Sequence, residues 1–306
     1  MEDYPRNLSE LEERFTTEAA CVQYLTQLRW PAGFRCPHCG HGKAWPLKTG
    51  LLRCVACDYK ASVIAGTVFE RTRKPLVLWF RAIWWVTSQK SGASAKTVQR
   101  ILELGSYQTA WAWLHKLRRA MVRPGRDQLS GSIEVDETYV GGEKPGKRGR
   151  GAAGKSIVMV AVQQKAGEGI GRIRLGVVPD ASQDSLTAFV ADAAVPGSTI
   201  RTDDWSGYAG LSAKGYGHVV APTHELKSAH LVVSLLKRWL GGTHQGAVSS
   251  EHLVYYLDEY TFRFNRRTSE HRGKLFYRLL QNAIAIEPVT YRQMAKGVRG
   301  PESAAP

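Results

Sequence analysis

Apolar positions recur along the chain with two different periods, and the change from one to the other divides it. From Ser9 to Arg29 the series Leu11, Phe15, Ala19, Tyr24, Leu25, Leu28 keeps a helical spacing and ends at the turn Trp30-Pro31-Ala32-Gly33. A second helical stretch, rich in aromatics, starts at Pro75 and runs to Gln89. After the break Ser91-Gly92-Ala93-Ser94 a helix spans Ala95 to Leu104, and after Gly105 another, capped by Ser106, spans Tyr107 to Val122. Pro124-Gly125 marks a linker. Beyond it Ser132 to Val140 alternates apolar and polar, Ile157 to Val162 is almost continuously apolar, and Arg172 to Val178 alternates again, so three successive strands are predicted. A helix from Ser182 to Ala194, a strand over 198–202 ending at Asp203, a short helix, a strand near His218 to Val220 and a long helix from about Ser228 to Leu240 follow.

That β-β-β-α-β-α-β-α order is the order of a ribonuclease H-like fold. The expected organisation is an N-terminal helical segment (1–30), a ribbon (31–65), a small all-α, helix-turn-helix-like domain (66–125), an α/β catalytic domain of ribonuclease H-like fold (130–285) and a C-terminal tail (286–306). The five tryptophans at 79, 84, 85, 111 and 113 are read as core rather than as base-stacking platforms.

Composition adds a partner. The 306 residues are 43% hydrophobic and 23% charged, a globular balance, and carry 42 Lys and Arg against 27 Asp and Glu, a formal charge of +15. The excess is uneven: residues 1–20 hold two bases and six acids, 21–130 hold 18 and four, 131–306 hold 22 and 17. A basic surface of this size binds polyanions by neutralising phosphates and releasing counterions. An acidic membrane would satisfy the charge, but no basic amphipathic helix with a lipid-type face and no lipidation signal supports it. No stretch approaches the ~20 apolar residues of a transmembrane helix, and the opening Glu2-Asp3 does not read as a secretory signal. An intracellular, cytoplasmic protein is the expectation.

Four of five cysteines fall as Cys36-Pro-His-Cys39 and Cys54-Val-Ala-Cys57 with 14 residues between the pairs. Two such knuckles bring four thiolates around one tetrahedral Zn²⁺, which supplies folding energy to a segment too small for its own core. Two disulfides would be the alternative; an intracellular setting and the odd fifth cysteine disfavour them. His38 lies between two better ligands, and Cys21 reads as a buried helical residue.

The segment Gly149 to Ser156 matches the phosphate-loop expression G-x-x-x-x-G-K-S. That loop works only between a strand and a helix, whose terminal amides face the phosphates. Here a basic Gly-rich stretch precedes it and the strand-like Ile157-Val-Met-Val-Ala-Val follows, so no nucleotide site is expected. Residues 141–155 read instead as a loop between the first two strands of the α/β domain that touches DNA backbone.

Chemistry is expected from carboxylates. In a ribonuclease H-like sheet Asp136, midway along the first strand, and Asp203, at the end of the fourth, lie on neighbouring strands and converge. Such hard oxygen ligands suit Mg²⁺ or Mn²⁺. Each has an acidic neighbour, Glu137 and Asp204, that could serve instead; alternation favours Asp136 and the strand edge favours Asp203. His230, on the long last helix, is the expected third member, though imidazole suits Mn²⁺ better than Mg²⁺. Lys237, seven residues on and so on the same face, would point toward a scissile phosphate. The candidate DNA contacts are Lys116, Arg118 and Arg119 on the basic fourth helix, Lys147, Arg148 and Arg150 in the Gly-rich loop, and Arg238.

Together, the ribbon, the phrases Val135-Asp-Glu-Thr-Tyr-Val-Gly-Gly142 and Thr202-Asp-Asp-Trp-Ser-Gly-Tyr208, the run Ser234-Leu-Leu-Lys-Arg238 and Tyr256-Leu-Asp-Glu-Tyr-Thr-Phe-Arg-Phe-Asn-Arg-Arg267 resemble bacterial insertion-sequence transposases of the zinc-ribbon DDE type, the ISXO-like group, over about residues 15–285. The resemblance implies divalent-metal-dependent cleavage and strand transfer at terminal inverted repeats, acting as a homodimer or larger oligomer on double-stranded DNA. Motif matching puts Asp136 and Asp203 in the first two acidic positions. The family's third position, seven before a lysine, is commonly Glu or Asn and here is His230. The rival expectation is a non-catalytic zinc-ribbon DNA-binding regulator derived from such an enzyme.

Overall fold

The computed structural model describes residues 2–123, 125–141, 155–165, 167, 169–246 and 248–296, which fall into two compact units. Unit one is Met1–Pro124 with Ser269–Pro306, and unit two is Gly125–Thr268. Among the described residues no helix is long and apolar enough to cross a membrane.

In unit one, α1 (Leu8–Arg14) and α2 (Glu18–Arg29) replace the single predicted helix, because the Thr17 side chain accepts from the Ala20 amide and starts a new helix there. A three-stranded antiparallel ribbon follows, β1 (Ala44–Pro46), β2 (Leu52–Cys54) and β3 (Lys60–Ala61). Then come α3 (Leu76–Ser88), α4 (Ala95–Ile101) and α5 (Tyr107–Ala120), the last two capped by Ser94 and Ser106. Trp79 and Trp113 stack at 3.8 Å between ring centres, both buried, as their reading as core residues expects.

Unit two carries a five-stranded sheet of order β6-β5-β4-β7-β8: β4 (Ser132–Val140), β5 (Ser156–Lys165), β6 (Gly169–Val178), β7 (Thr199–Thr202) and β8 (Gly217–Val220). The first three strands are antiparallel neighbours, whereas β7 and β8 run parallel to β4. The alternation of β4 sorts the two faces. Ile133 and Val135 join Met159, Ala161 and Ile200 under α6 (Gln183–Ala193), while Val158, Val160 and Val162 meet α7 (Lys227–Thr243) and α8 (Leu253–Phe264) on the other side.

The phrase 256–267 closes the outer edge of the sheet. Asn265, just past α8, accepts the Ile173 amide at 2.7 Å and donates to the Ile173 carbonyl at 3.1 Å, standing in for a sixth strand. Arg267 donates to the carbonyls of Gly171, Ile170 and Phe264. Unpaired strand edges invite aggregation, and these side chains cover this one.

From Ser269 the chain returns to unit one, so the expected α/β boundary at 285 falls some way too late. α9 (Arg272–Ala285) places Phe276 against Phe15, Phe80 and Trp84. Gly273 permits that seat, since a Cβ there would come 1.6 Å from the Pro5 carbonyl oxygen. The short α10 (Tyr291–Ala295) sets Tyr291 against Trp111 of α5.

Candidate metal and catalytic sites

The ribbon brings its four cysteines together. Their sulfurs all lie within 4.8 Å of one another, with Cys36 to Cys57 at 3.7 Å and Cys39 to Cys54 at 3.6 Å. Thiolates on a tetrahedron around Zn²⁺, at Zn–S of ~2.3 Å, sit roughly 3.8 Å apart, so the donors fit that ion. Cys21 is fully buried elsewhere, and burial raises its thiol to about 12. His38 is exposed and stacks on Tyr59.

The second site forms on β4 and β7. Their parallel register pairs Ser132 with Thr199, Ile133 with Ile200 and Glu134 with Arg201. Carried two residues further, it sets Asp136 level with Asp203. α7 approaches the same face, and His230 Nε2 lies 3.4 Å from Asp136 Oδ2. The Asp136 side chain is 16% exposed, and its carboxyl is pushed up to about 6. Burial is the largest cause and Glu137 the next; the Glu137 amide on Oδ1 and His230 pull the other way, and Asp203 pushes it up further. Among the described residues the four cysteines are the set of three or more such ligands placed to hold a metal ion.

The acidic neighbours have other employment. Glu137 points to the opposite face of the sheet, where the buried Tyr208 hydroxyl donates to its Oε2 at 2.9 Å; burial and Glu137 raise that phenol strongly. Asp204 is exposed, whereas Asp203 Oδ1 accepts the Trp205 amide at 3.3 Å. Trp205 is pinned in turn by its indole donating to the Ala181 carbonyl. Gly207 makes this turn possible: a Cβ there would stand 2.6 Å from Trp205 Nε1 and 2.8 Å from Leu186 Cδ1.

The basic residues fare unevenly. Lys237 and Arg238 are exposed on α7. Arg118 is 2% exposed, packed beside His115 at 3.4 Å, so it cannot reach a phosphate as expected. Lys116 donates to the Val68 carbonyl at 3.0 Å, and burial lowers its ammonium pKa. Arg119 donates to the Glu287 carbonyl at 3.1 Å. The three charges of α5 are thus engaged within the fold, because residues 116, 118 and 119 point in different directions around a helix packed by α9 and α10, so at least one of them must face inward. Lys147, Arg148 and Arg150 lie outside the described residues, as does most of the phosphate-loop match. Its following flank is the strand β5, as the sequence predicts.

One buried carboxylate beside this site was not singled out by pattern. Glu134 is 4% exposed, and its Oε2 accepts the amides of Ser228 and Ala229, both at 2.9 Å. Only its two-residue spacing from Asp136, which sets both on one face, hinted at a role.

Residues 16–60 match the transposase zinc-ribbon domain, and residues 128–265 match the ISXO2-like transposase domain. An uncharacterized protein in transposable element ISH50 of Halobacterium salinarum is 27% identical over 278 residues, covering 81% of this chain and 91% of its own. A solved simian T-cell lymphotropic virus intasome in complex with PP2A regulatory subunit B56 gamma shows 13% identity over 64% of this chain and 71% of its own; its TM-score of 0.34 is too low to bear on fold or function. The chain thus carries, in order, a stretch similar to the transposase zinc-ribbon domain and a stretch similar to the ISXO2-like transposase domain, together 183 of its 306 residues.

Proposed function

We propose that the protein is a DDE-type transposase that binds terminal inverted repeats, cuts one DNA strand and joins the freed 3′-hydroxyl to target DNA, with unit two as a ribonuclease H-like catalytic domain. The observation that carries this is the convergence of Asp136, Asp203 and His230 from β4, the end of β7 and α7. The sheet order, with three antiparallel strands and two parallel to the first, supports the ribonuclease H-like reading.

Asp136 and Asp203 offer hard oxygen donors and His230 a nitrogen, so the set suits Mg²⁺ or Mn²⁺ with some tilt toward Mn²⁺. A bound divalent cation supplies Lewis-acid activation of water and neutralises charge at the phosphate. The Asp136 side chain is largely shielded from solvent, which strengthens its interaction with any cation it meets. Lys237, exposed two turns along α7 from His230, reaches toward the DNA strand, and Arg238 grips backbone beside it. Cys36, Cys39, Cys54 and Cys57 hold a structural Zn²⁺. Lys147, Arg148 and Arg150 add phosphate contacts, and the active form is a dimer or larger assembly on DNA.

The test is cleavage and strand transfer on a plasmid carrying the flanking DNA of the gene, with Mg²⁺ and Mn²⁺ separately, comparing the native protein with Asp203→Ala. Metal-dependent cutting at the flanks, lost in the variant while DNA binding stays within about threefold, is the expected result. Tight binding without cutting in either metal would replace this reading with that of a DNA-binding regulator.

A further inference from the structure

α7 lacks the device that starts most of the described helices. Asn7, Thr17, Ser94, Ser106, Ser182 and Thr290 each cap their own helix with a side-chain oxygen. α7 is preceded by Leu226, which has no such oxygen, so the amides of its first turn need acceptors from elsewhere. Glu134 supplies one from β4: a single carboxylate oxygen takes the amides of Ser228 and Ala229. Ser228 adds a hydroxyl contact to Gln164 on β5 at 3.2 Å. A carboxylate at a helix N-terminus also meets the positive end of the helix dipole.

The residue after Ala229 is His230, and the residue two after Glu134, on the same face of β4, is Asp136. One strand therefore holds the start of the helix with one carboxylate and meets the helix imidazole with the next. Burying an acid costs stability unless it is fully bonded, and an ordinary cap at residue 226 would have satisfied the amides without it. What Glu134 achieves, and a local cap could not, is to fix α7 in register with the strand that bears Asp136.

We propose that Glu134 is a positioning residue: by clamping the first turn of α7 to β4 it sets His230 against Asp136, and through His230 it sets the rate of DNA cleavage. The proposal rests on the transposase reading for its kinetic consequence and on the clamp geometry alone for its structural one, and the experiment separates the two. Full-length protein labelled with ¹⁵N-histidine is compared as native, Glu134→Gln, Glu134→Ala and Ser182→Ala. The last removes the cap of α6, on the other face of the sheet, as a control for simple loss of a helix cap.

Glutamine keeps an oxygen for both amides, so Glu134→Gln should leave the His230 ring signals near native and cleavage within a few-fold. Glu134→Ala should shift those signals, speed amide exchange at Ser228 and Ala229, and slow cleavage roughly ten- to a hundredfold with DNA affinity unchanged, the usual scale for displacing a reacting group by about an ångström. Ser182→Ala should lower the melting temperature without moving the His230 signals. Native-like His230 signals in Glu134→Ala would overturn the proposal, as would a Glu134→Gln variant as slow as Glu134→Ala. If Glu134→Ala does not fold, Glu134→Gln still decides, since displaced His230 signals there would refute the clamp as drawn. If the native protein cuts no DNA, the transposase reading fails, while the His230 signals and amide exchange still judge the clamp.

Discussion

Replacing Asp136 by asparagine should make the metal-free protein more stable, and only above a defined pH. In the fold the carboxyl is pushed up to about 6 from its ordinary 3.8, by burial first and by Glu137 and Asp203 besides. A raised carboxyl means that the folded protein holds the proton more tightly than the unfolded chain. Stability then falls as pH rises from 3.8 to about 6, and the penalty is complete above that. A shift of that size, at 1.36 kcal/mol per pH unit, corresponds to about 3 kcal/mol. That net figure already includes the opposing pull of His230, so removing the charge should gain on the order of 2–3 kcal/mol. Asparagine keeps an oxygen for the Glu137 amide, so little else changes. Thermal unfolding of the α/β unit in buffer free of Mg²⁺ and Mn²⁺ should show Asp136→Asn melting roughly 5–10 °C higher at pH 7.5. The gain should shrink to about a third by pH 4.5. With millimolar Mn²⁺ the order should reverse, because only the native site gains binding energy. An asparagine variant no more stable than native at pH 7.5, or a gain of equal size at both pH values, would refute the reasoning.

Three further outcomes follow from other parts of the molecule. Cys54→Ser, at a fully buried ligand position, should abolish the one zinc per chain found by metal analysis after dialysis and melt the ribbon by circular dichroism; retained zinc would contradict a four-sulfur site. Asn265→Ala should cost about 1–3 kcal/mol in chemical denaturation, because the Ile173 amide and carbonyl lose their partners, and should raise self-association at the bared edge of β6 by light scattering. Arg118→Ala should lower stability and leave the salt dependence of DNA binding unchanged. Lys237→Ala with Arg238→Ala should instead flatten the slope of log K against log salt by up to about 2, roughly one for each phosphate no longer neutralised.

The sequence determined by itself whatever depends on local spacing. The period-two run 132–140 is β4 residue for residue, since one face of a strand must be apolar to be buried. The two Cys-x-x-Cys knuckles needed no tertiary information to point at zinc, because a knuckle presents both sulfurs from one turn. Asp136 was preferred over Glu137 from alternation alone, and the fold does send the two to opposite faces. Tertiary structure decided what depends on packing between distant segments. A helix pattern says which face is apolar but not against what, so nothing in 272–285 revealed that Phe276 belongs with Phe15 and Phe80 rather than with the sheet. The charge of Arg118 suggested a surface because burial of a cation depends on neighbours far along the chain. Glu134 belongs to the same class: the amides it satisfies lie 94 and 95 residues away, and only folding brings a strand carboxylate to the uncapped start of a helix.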